Sequence, residues 1–414
     1  MLRTEVLRLY GRILRIAKRW EAKEATKTAA EREFIRSEAA KQFRANKHIE
    51  DSEEVAKLIR ETEERIEICI HYRTPFERPT YLNPGTSFGF RRSSKFDTPT
   101  RQKLHSAIDR LTSDQQQIFR FYFANSPLTF DLNLKPLLDV DEEMLALLLS
   151  SGFKFKSKFQ KVFFKKCVDL FQTQDRHSDS LYEALCSSMA LADGPFCRYF
   201  CGKSLSEDLL LKERPEAISS GTTGLSSWVA SYVLANHLIQ RENLDNQLLV
   251  ELGSGCGLAG LASLRYHRLR SLWLTDIDEK VLEQLRENVE LNFASDIRIR
   301  VQNCDFGDRK SLDRLPQQID LIIAADLIYD VELADRLIDA FSHLNFGRIL
   351  VAATERNVET LDHFRRALTQ QNYNYTSRLY TVGTNQIAGS DGDLQTLIPP
   401  ISCGEKVFLF EIHC

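Results

Sequence analysis

No apolar run in this 414-residue chain approaches the 18 or so consecutive residues needed to span a bilayer, so nothing in it reads as a transmembrane helix. Nor do its nine cysteines follow the spacing of a disulfide framework, which favours a reducing compartment such as the cytosol or the mitochondrial matrix. The pair Cys197-x-x-x-Cys201 lacks a second cysteine pair, or suitably placed histidines, to complete four ligands, so no metal is expected. Large net charge is also missing, at -3 overall, but the balance is uneven. Residues 1–100 carry 21 Lys and Arg against 16 Asp and Glu, whereas the rest carries 34 against 42. A basic front and an acidic back point to two modules with different partners, and the length is too great for one ordinary core.

What is present centres on Leu248-Leu-Val-Glu-Leu-Gly-Ser-Gly-Cys-Gly-Leu-Ala-Gly260. An apolar strand ends on an acid and runs into a glycine turn that opens a helix, the layout of a nucleotide-type cofactor site. Gly253, Gly255 and Gly257 permit a tight turn and let a ligand lie against bare backbone. Glu251 beside them would repel a pyrophosphate but suits a cationic amino acid such as the methionine half of S-adenosyl-L-methionine. The same residues fit the dinucleotide fingerprint, so the turn alone leaves a dinucleotide-dependent oxidoreductase open. A second strand, Ser271 to Thr275, ends at Asp276, at the spacing of an acid that holds a ribose hydroxyl pair. Asp305-Phe306 follows a third strand and offers a polar and an aromatic group for an adenine. The buried-strand pattern Asp320-Leu-Ile-Ile-Ala-Ala-Asp326-Leu-Ile-Tyr329 ends in an acid and a phenol.

Taken together, Glu251-x-Gly-x-Gly-x-Gly257, Asp276, Asp305-Phe306 and Asp326-x-x-Tyr329 resemble the seven-β-strand methyltransferases of family 16, mostly protein-lysine methyltransferases. Gly221-Thr-Thr-Gly224, Leu181-Tyr-Glu-Ala-Leu185, Val281 to Val289 and Ala324-Ala-Asp326 are similar to the elongation factor 2 lysine methyltransferase group. The resemblance implies a doubly wound, Rossmann-like α/β sheet with crossover helices near Ala259, Val281, Val331 and Val358, closed by antiparallel strands at Tyr375 to Tyr380 and Val407 to His413. It implies S-adenosyl-L-methionine as cofactor, held by Trp228, Glu251, Gly253, Gly255, Gly257, Asp276, Asp305, Phe306 and Ala325. Elongation factor 2 would be the methyl acceptor. Asp326 would orient the acceptor lysine, and Tyr329 would wall the methyl group and hydrogen-bond beside it. An amino-adenine methyltransferase would carry two prolines where Leu327-Ile328 stands.

Ahead of this core, Leu2, Val6, Leu9, Ile13, Ile16 and Trp20 mark one face of a helix whose other sides are rich in arginine. Further helical patterns run over 31–46 and 52–72, making a three-helix bundle. Glu5-Val-Leu-Arg-Leu-Tyr10, Phe43-Arg-Ala-Asn-Lys47 and Arg65 to Tyr72 resemble the LYR-motif proteins, with Gly11 where the motif's arginine belongs. The resemblance implies docking of acyl carrier protein through Arg12, Arg15, Arg44 and Lys47. The expected domains are the bundle at 1–85, a proline-containing linker at 86–112, a mostly helical region at 113–211 and the methyltransferase domain at 212–414. The alternative to an enzyme is an adaptor that works through the bundle and keeps the core as scaffold.

Overall fold

A computed structural model describes residues 2–20, 28–49, 51, 55, 58–59, 62, 66, 98–126, 132–150, 152–189, 191, 194–214, 223–294, 296–383 and 386–413. It divides into two compact units, 1–92 and 93–414. No helix among the described residues is long and apolar enough to cross a membrane.

In the first unit, α1 (Leu2–Arg19) and α2 (Thr28–Ala45) are joined by helical turns at 55, 58–59, 62 and 66. The spaced apolar positions form the core: Leu9, Ile59 and Ile66 are buried together, with Val6, Ile13, Ile16, Phe43 and Val55 around them. Trp20 ends α1 by donating its indole N–H to the Glu31 carboxylate at 2.6 Å, while Arg32 reaches back to the Trp20 carbonyl at 2.8 Å. Tyr10 packs its ring 4.7 Å from Phe43.

The second unit begins inside the stretch expected as linker. Helix α3 (Thr98–Asp109) starts with Pro99 in its first turn, where a missing N–H costs no helix bond. The Pro99 signal therefore opens a helix, and Leu104, Ala107 and Ile108 bury one side of it. The helices α4 (Ser113–Phe123), α5 (Glu142–Leu149), α6 (Ser157–Thr173) and α7 (Asp179–Met189) share that core, which is dense in phenylalanine. This region is not purely helical. Strands β1 (Phe196–Phe200) and β2 (Leu209–Glu213) form an antiparallel hairpin, so the expected boundary at 211/212 falls within a strand. Every residue of β1 is buried, which removes the alternation that would mark a half-exposed strand. Its Arg198 is neutralised by Glu213 at 2.9 Å.

The sheet follows, with α8 (Val229–Arg241), β3 (Leu248–Leu252), α9 (Leu258–Tyr266), β4 (Ser271–Asp276), α10 (Glu279–Phe293), β5 (Ile299–Asn303), β6 (Ile319–Ala325), α11 (Val331–His343), β7 (Phe346–Thr354), α12 (Val358–Gln370), β8 (Asn374–Val382), β9 (Gln386–Gly389), β10 (Leu394–Gln395) and β11 (Lys406–His413). Strand order is β10-β9-β8-β11-β7-β6-β3-β4-β5. Five strands are parallel, and β11 inserts antiparallel between β7 and β8, giving the expected seven-stranded core with two short strands added at one edge. Alternate residues feed the two faces. Leu249, Leu321 and Ile323 enter one hydrophobic layer with α8, α9 and α10, whereas Val250, Ile322 and Ala324 enter the other with α11 and α12. The chain winds outward from β3 through β4 and β5, then returns to the other side of β3 at β6. That reversal creates a crevice at the carboxyl ends of β3 and β6, where open α/β sheets bind ligands.

Candidate active site

The glycine turn sits at this reversal. Gly253, Gly255 and Gly257 all have positive φ (+61°, +54° and +83°), a region open to glycine at little cost. Space is closed as well: a Cβ on Gly253 would approach Leu327 to 2.6 Å, and one on Gly257 would meet Leu285 at 2.5 Å. The first of these near-contacts places the turn against the residue after Asp326. Gly255 packs on Gly224, the described end of the 221–224 segment, and donates its N–H to Asp276 at 3.1 Å. Residues 220–222 lie outside the described residues.

Glu251 is only 2% exposed and turns beneath the loop, where it accepts the Gly260 N–H at 3.2 Å. Burial, with a lesser contribution from nearby Asp276, pushes its carboxyl up to about 8. It therefore ties the end of β3 to the first turn of α9 and holds a proton over much of the neutral range. Asp276 closes β4. Its two oxygens accept from Gly255 and Asp278, both at 3.1 Å, and burial raises its pKa despite these bonds. A carboxylate has about four acceptor sites, so hydroxyl donors can be added to these two. Next to it, Ile277 is 59% exposed, an apolar side chain at the rim of the crevice that the sequence reading passed over. Asn303 reaches across from β5 to the Ile277 carbonyl at 3.0 Å. Asp305 is held by Arg336 and the Gly307 N–H, each at 2.8 Å, and Phe306 packs on the hydrophobic layer below.

On the other side of the reversal, β6 ends through Ala325 at Asp326, which adopts φ +55°. A non-glycine residue in this region stores strain, and such residues cluster at functional sites. Its carboxylate accepts the Thr354 N–H at 2.8 Å, the Thr354 hydroxyl at 3.0 Å and an Arg356 N–H at 3.2 Å. Arg356 in turn lies 4.6 Å from the centre of the Trp228 ring, whose N–H is bonded to the Thr223 carbonyl at 2.9 Å. Trp228 thus stands one guanidinium away from Asp326. Tyr329 is 48% exposed on the loop leading into α11. Thr354 and Arg356 were missed in the sequence; the available signal was their place at the end of a buried strand and just past it, on the ligand-bearing edge of the sheet.

Elsewhere, His105, Cys201 and Asp208 meet in the interior of the second unit. His105 Nε2 is 2.9 Å from Asp208 and 3.6 Å from Cys201. Asp208 also accepts from the Tyr199 hydroxyl and the Gly202 N–H, and Arg101 stands 3.5 Å away. These donors engage both carboxylate oxygens, so the group reads as a buried ion-pair latch.

Residues 206–371 match the family described as lysine methyltransferase, and residues 4–68 match Complex 1 protein (LYR family). An LYR motif containing protein 1 from Danio rerio is 46% identical over 86 residues, covering 20% of this chain and 73% of that protein. The chain belongs to the LYR family. To that LYR segment it joins a lysine methyltransferase domain. The protein-lysine N-methyltransferase EEF2KMT of Homo sapiens is 34% identical over 209 residues, 46% of this chain and 63% of that protein. Protein-lysine N-methyltransferase EFM3 of Chaetomium thermophilum is 27% identical over 187 residues, 42% of this chain and 55% of that protein. The chain thus spans less than two thirds of these two methyltransferase relatives. The match covers the glycine turn, Asp276, Asp326 and Arg356, and favours the methyl-donor reading of the turn over the dinucleotide one.

Proposed function

We propose that the second unit transfers a methyl group from S-adenosyl-L-methionine to the side-chain amine of a lysine in elongation factor 2. The observation that carries this is the meeting of the glycine turn with Asp276 on one side and the Asp326 loop on the other, at the sheet's reversal point. When bound, S-adenosyl-L-methionine would supply the transferable sulfonium methyl, its S–C bond breaking as the N–C bond to the neutral amine forms. Asp276 accepts from a ribose hydroxyl pair, and the bare backbone of Gly253 to Gly257 admits the donor's amino-acid end. The face made by Asp326 and Tyr329 receives the lysine. Alignment of the three reacting atoms is the main catalytic demand. A lysine with an ordinary pKa near 10.4 is nucleophilic in only about one molecule in a few thousand at pH 7, so the site must accept the neutral amine. Asp326 is therefore an orienting acceptor and not the base.

The substrate follows from the likeness to EEF2KMT and EFM3, since fold alone names no acceptor. Incubating the purified chain with labelled donor, elongation factor 2 and other candidate proteins tests it. Label on a lysine of elongation factor 2 is expected; label on another protein or on RNA alone overturns the assignment.

For the first unit, the exposed Arg12, Arg15, Arg44 and Lys47 around the Leu9 core support docking of acyl carrier protein. Gly11 has open space where a side chain would begin, so no packing demand accounts for the loss of the motif's arginine.

A further inference from the structure

A bare carboxylate beside the acceptor amine would work against the reaction, because an opposite charge within a few ångströms favours the ammonium and withholds the lone pair. Asp326 is not bare. Arg356 bonds it at 3.2 Å and lies 4.6 Å from the centre of the Trp228 ring, with the Trp228 N–H anchored to Thr223. Three donors leave the carboxylate with acceptor capacity, so it can still orient an amine while its charge is balanced. The other charged groups around it have partners of their own. Glu355 pairs with Lys406 of β11 at 3.5 Å, and Asp330 caps α11 through the Glu332 and Leu333 N–H groups. The remaining titratable group on the Asp326 loop is the Tyr329 phenol.

We propose that Arg356 is a positioning residue that neutralises the field of Asp326, so that the incoming lysine is held by a hydrogen bond in its neutral, nucleophilic form. The inference rests on the methyltransferase reading above. Because a guanidinium keeps its charge throughout the working pH range, the compensation does not titrate away. The Asp326–Arg356 pair, and not Asp326 alone, then sets the pH range over which transfer runs.

The test is the pH profile of kcat, which reports groups in the enzyme–substrate complex, for methylation of elongation factor 2 by the full chain, compared for wild type, Arg356→Gln, Arg356→Lys, Asp326→Asn and the Arg356→Gln/Asp326→Asn pair. Arg356→Gln keeps a donor but removes the charge, and its rising limb is expected about one pH unit or more higher. Donor binding by calorimetry should be unchanged. Arg356→Lys should hold the limb near its wild-type position, and adding Asp326→Asn to Arg356→Gln should bring it back down, at a lower rate. A pH-independent loss in Arg356→Gln, or a shift that survives Asp326→Asn, overturns the proposal. If wild type transfers no methyl to any lysine, the parent reading falls and takes this inference with it; if wild type works and the limb does not move, only this inference falls.

Discussion

Two acids under the glycine turn differ in what their burial implies. Asp276 closes β4 with accepting capacity left over, so on the proposed function its removal should cost the donor a hydrogen bond to a charged group. Asp276→Ala is expected to weaken donor binding by about 1.5 to 3 kcal/mol, or roughly 10- to 150-fold, by calorimetry. Unchanged affinity in a folded variant would remove it from the donor site. Glu251 faces inward instead. Its pKa rises from an ordinary 4.5 to about 8 on folding, so the folded state holds the proton more tightly than the unfolded one. This group therefore favours folding least where it must ionise, and its contribution declines as pH rises from 4.5 through 8. Glu251→Gln keeps an acceptor for Gly260 without the charge. It should raise the melting temperature at pH 8.5 relative to wild type, by a gain on the order of a few kcal/mol, with little change at pH 5. A variant less stable than wild type at both pH values would contradict the protonation argument.

At the level of elements, the latch between α3 and the β1–β2 hairpin also loses stability as pH rises, in a higher window and through the loss of a stabilising cation. His105 is raised from 6.5 to about 10, chiefly by its hydrogen bond to Asp208 and then by Cys201, against burial. A raised histidine adds stability that is complete below pH 6.5 and lost as pH climbs through 10. Wild type should therefore lose stability to denaturant between pH 7 and 10, and His105→Gln should flatten that slope while lowering stability at pH 6.5. An equal slope in both proteins would assign the alkaline loss elsewhere. The element readings that fell short have separate causes. The hairpin strand Phe196–Phe200 is buried along its whole length with a compensated arginine in it, and α3 carries Pro99 in its first turn, inside the stretch expected as linker. By contrast, the helices after β3, β4, β6 and β7 and the antiparallel strands at Tyr375 to Tyr380 and Val407 to His413 stand where periodicity and family likeness put them.

At the scale of the whole molecule, the LYR segment and the methyltransferase domain are separate compact units with cores of their own. Separate cores predict separable functions. A fragment of residues 1–92 should recover acyl carrier protein in a pull-down, with recovery falling as salt rises, since exposed charges are screened over about 8 to 10 Å at physiological ionic strength. No recovery even at low salt would leave the bundle without this partner. Residues 93–414 should bind the methyl donor as the full chain does, and a loss of binding on truncation would show that the units are coupled.

What the sequence determined by itself is what depends on near neighbours along the chain. The 3.6-residue period of α1, the run of buried residues in β6 and the glycine turn after β3 are set by local hydrogen bonding, sterics and alternation, so these elements were legible. Tertiary structure decided the rest. The parallel register that sets Ala325 opposite Ala352 is what carries Asp326 to Thr354 and Arg356, some 30 residues on. Asp208 finds His105 across 103 residues in the same manner. Such pairs arise from strand order and packing, whose energies depend on which surfaces meet, and a one-dimensional pattern does not encode a meeting. That is why Asp326 could be named from its motif while the arginine that balances it could not.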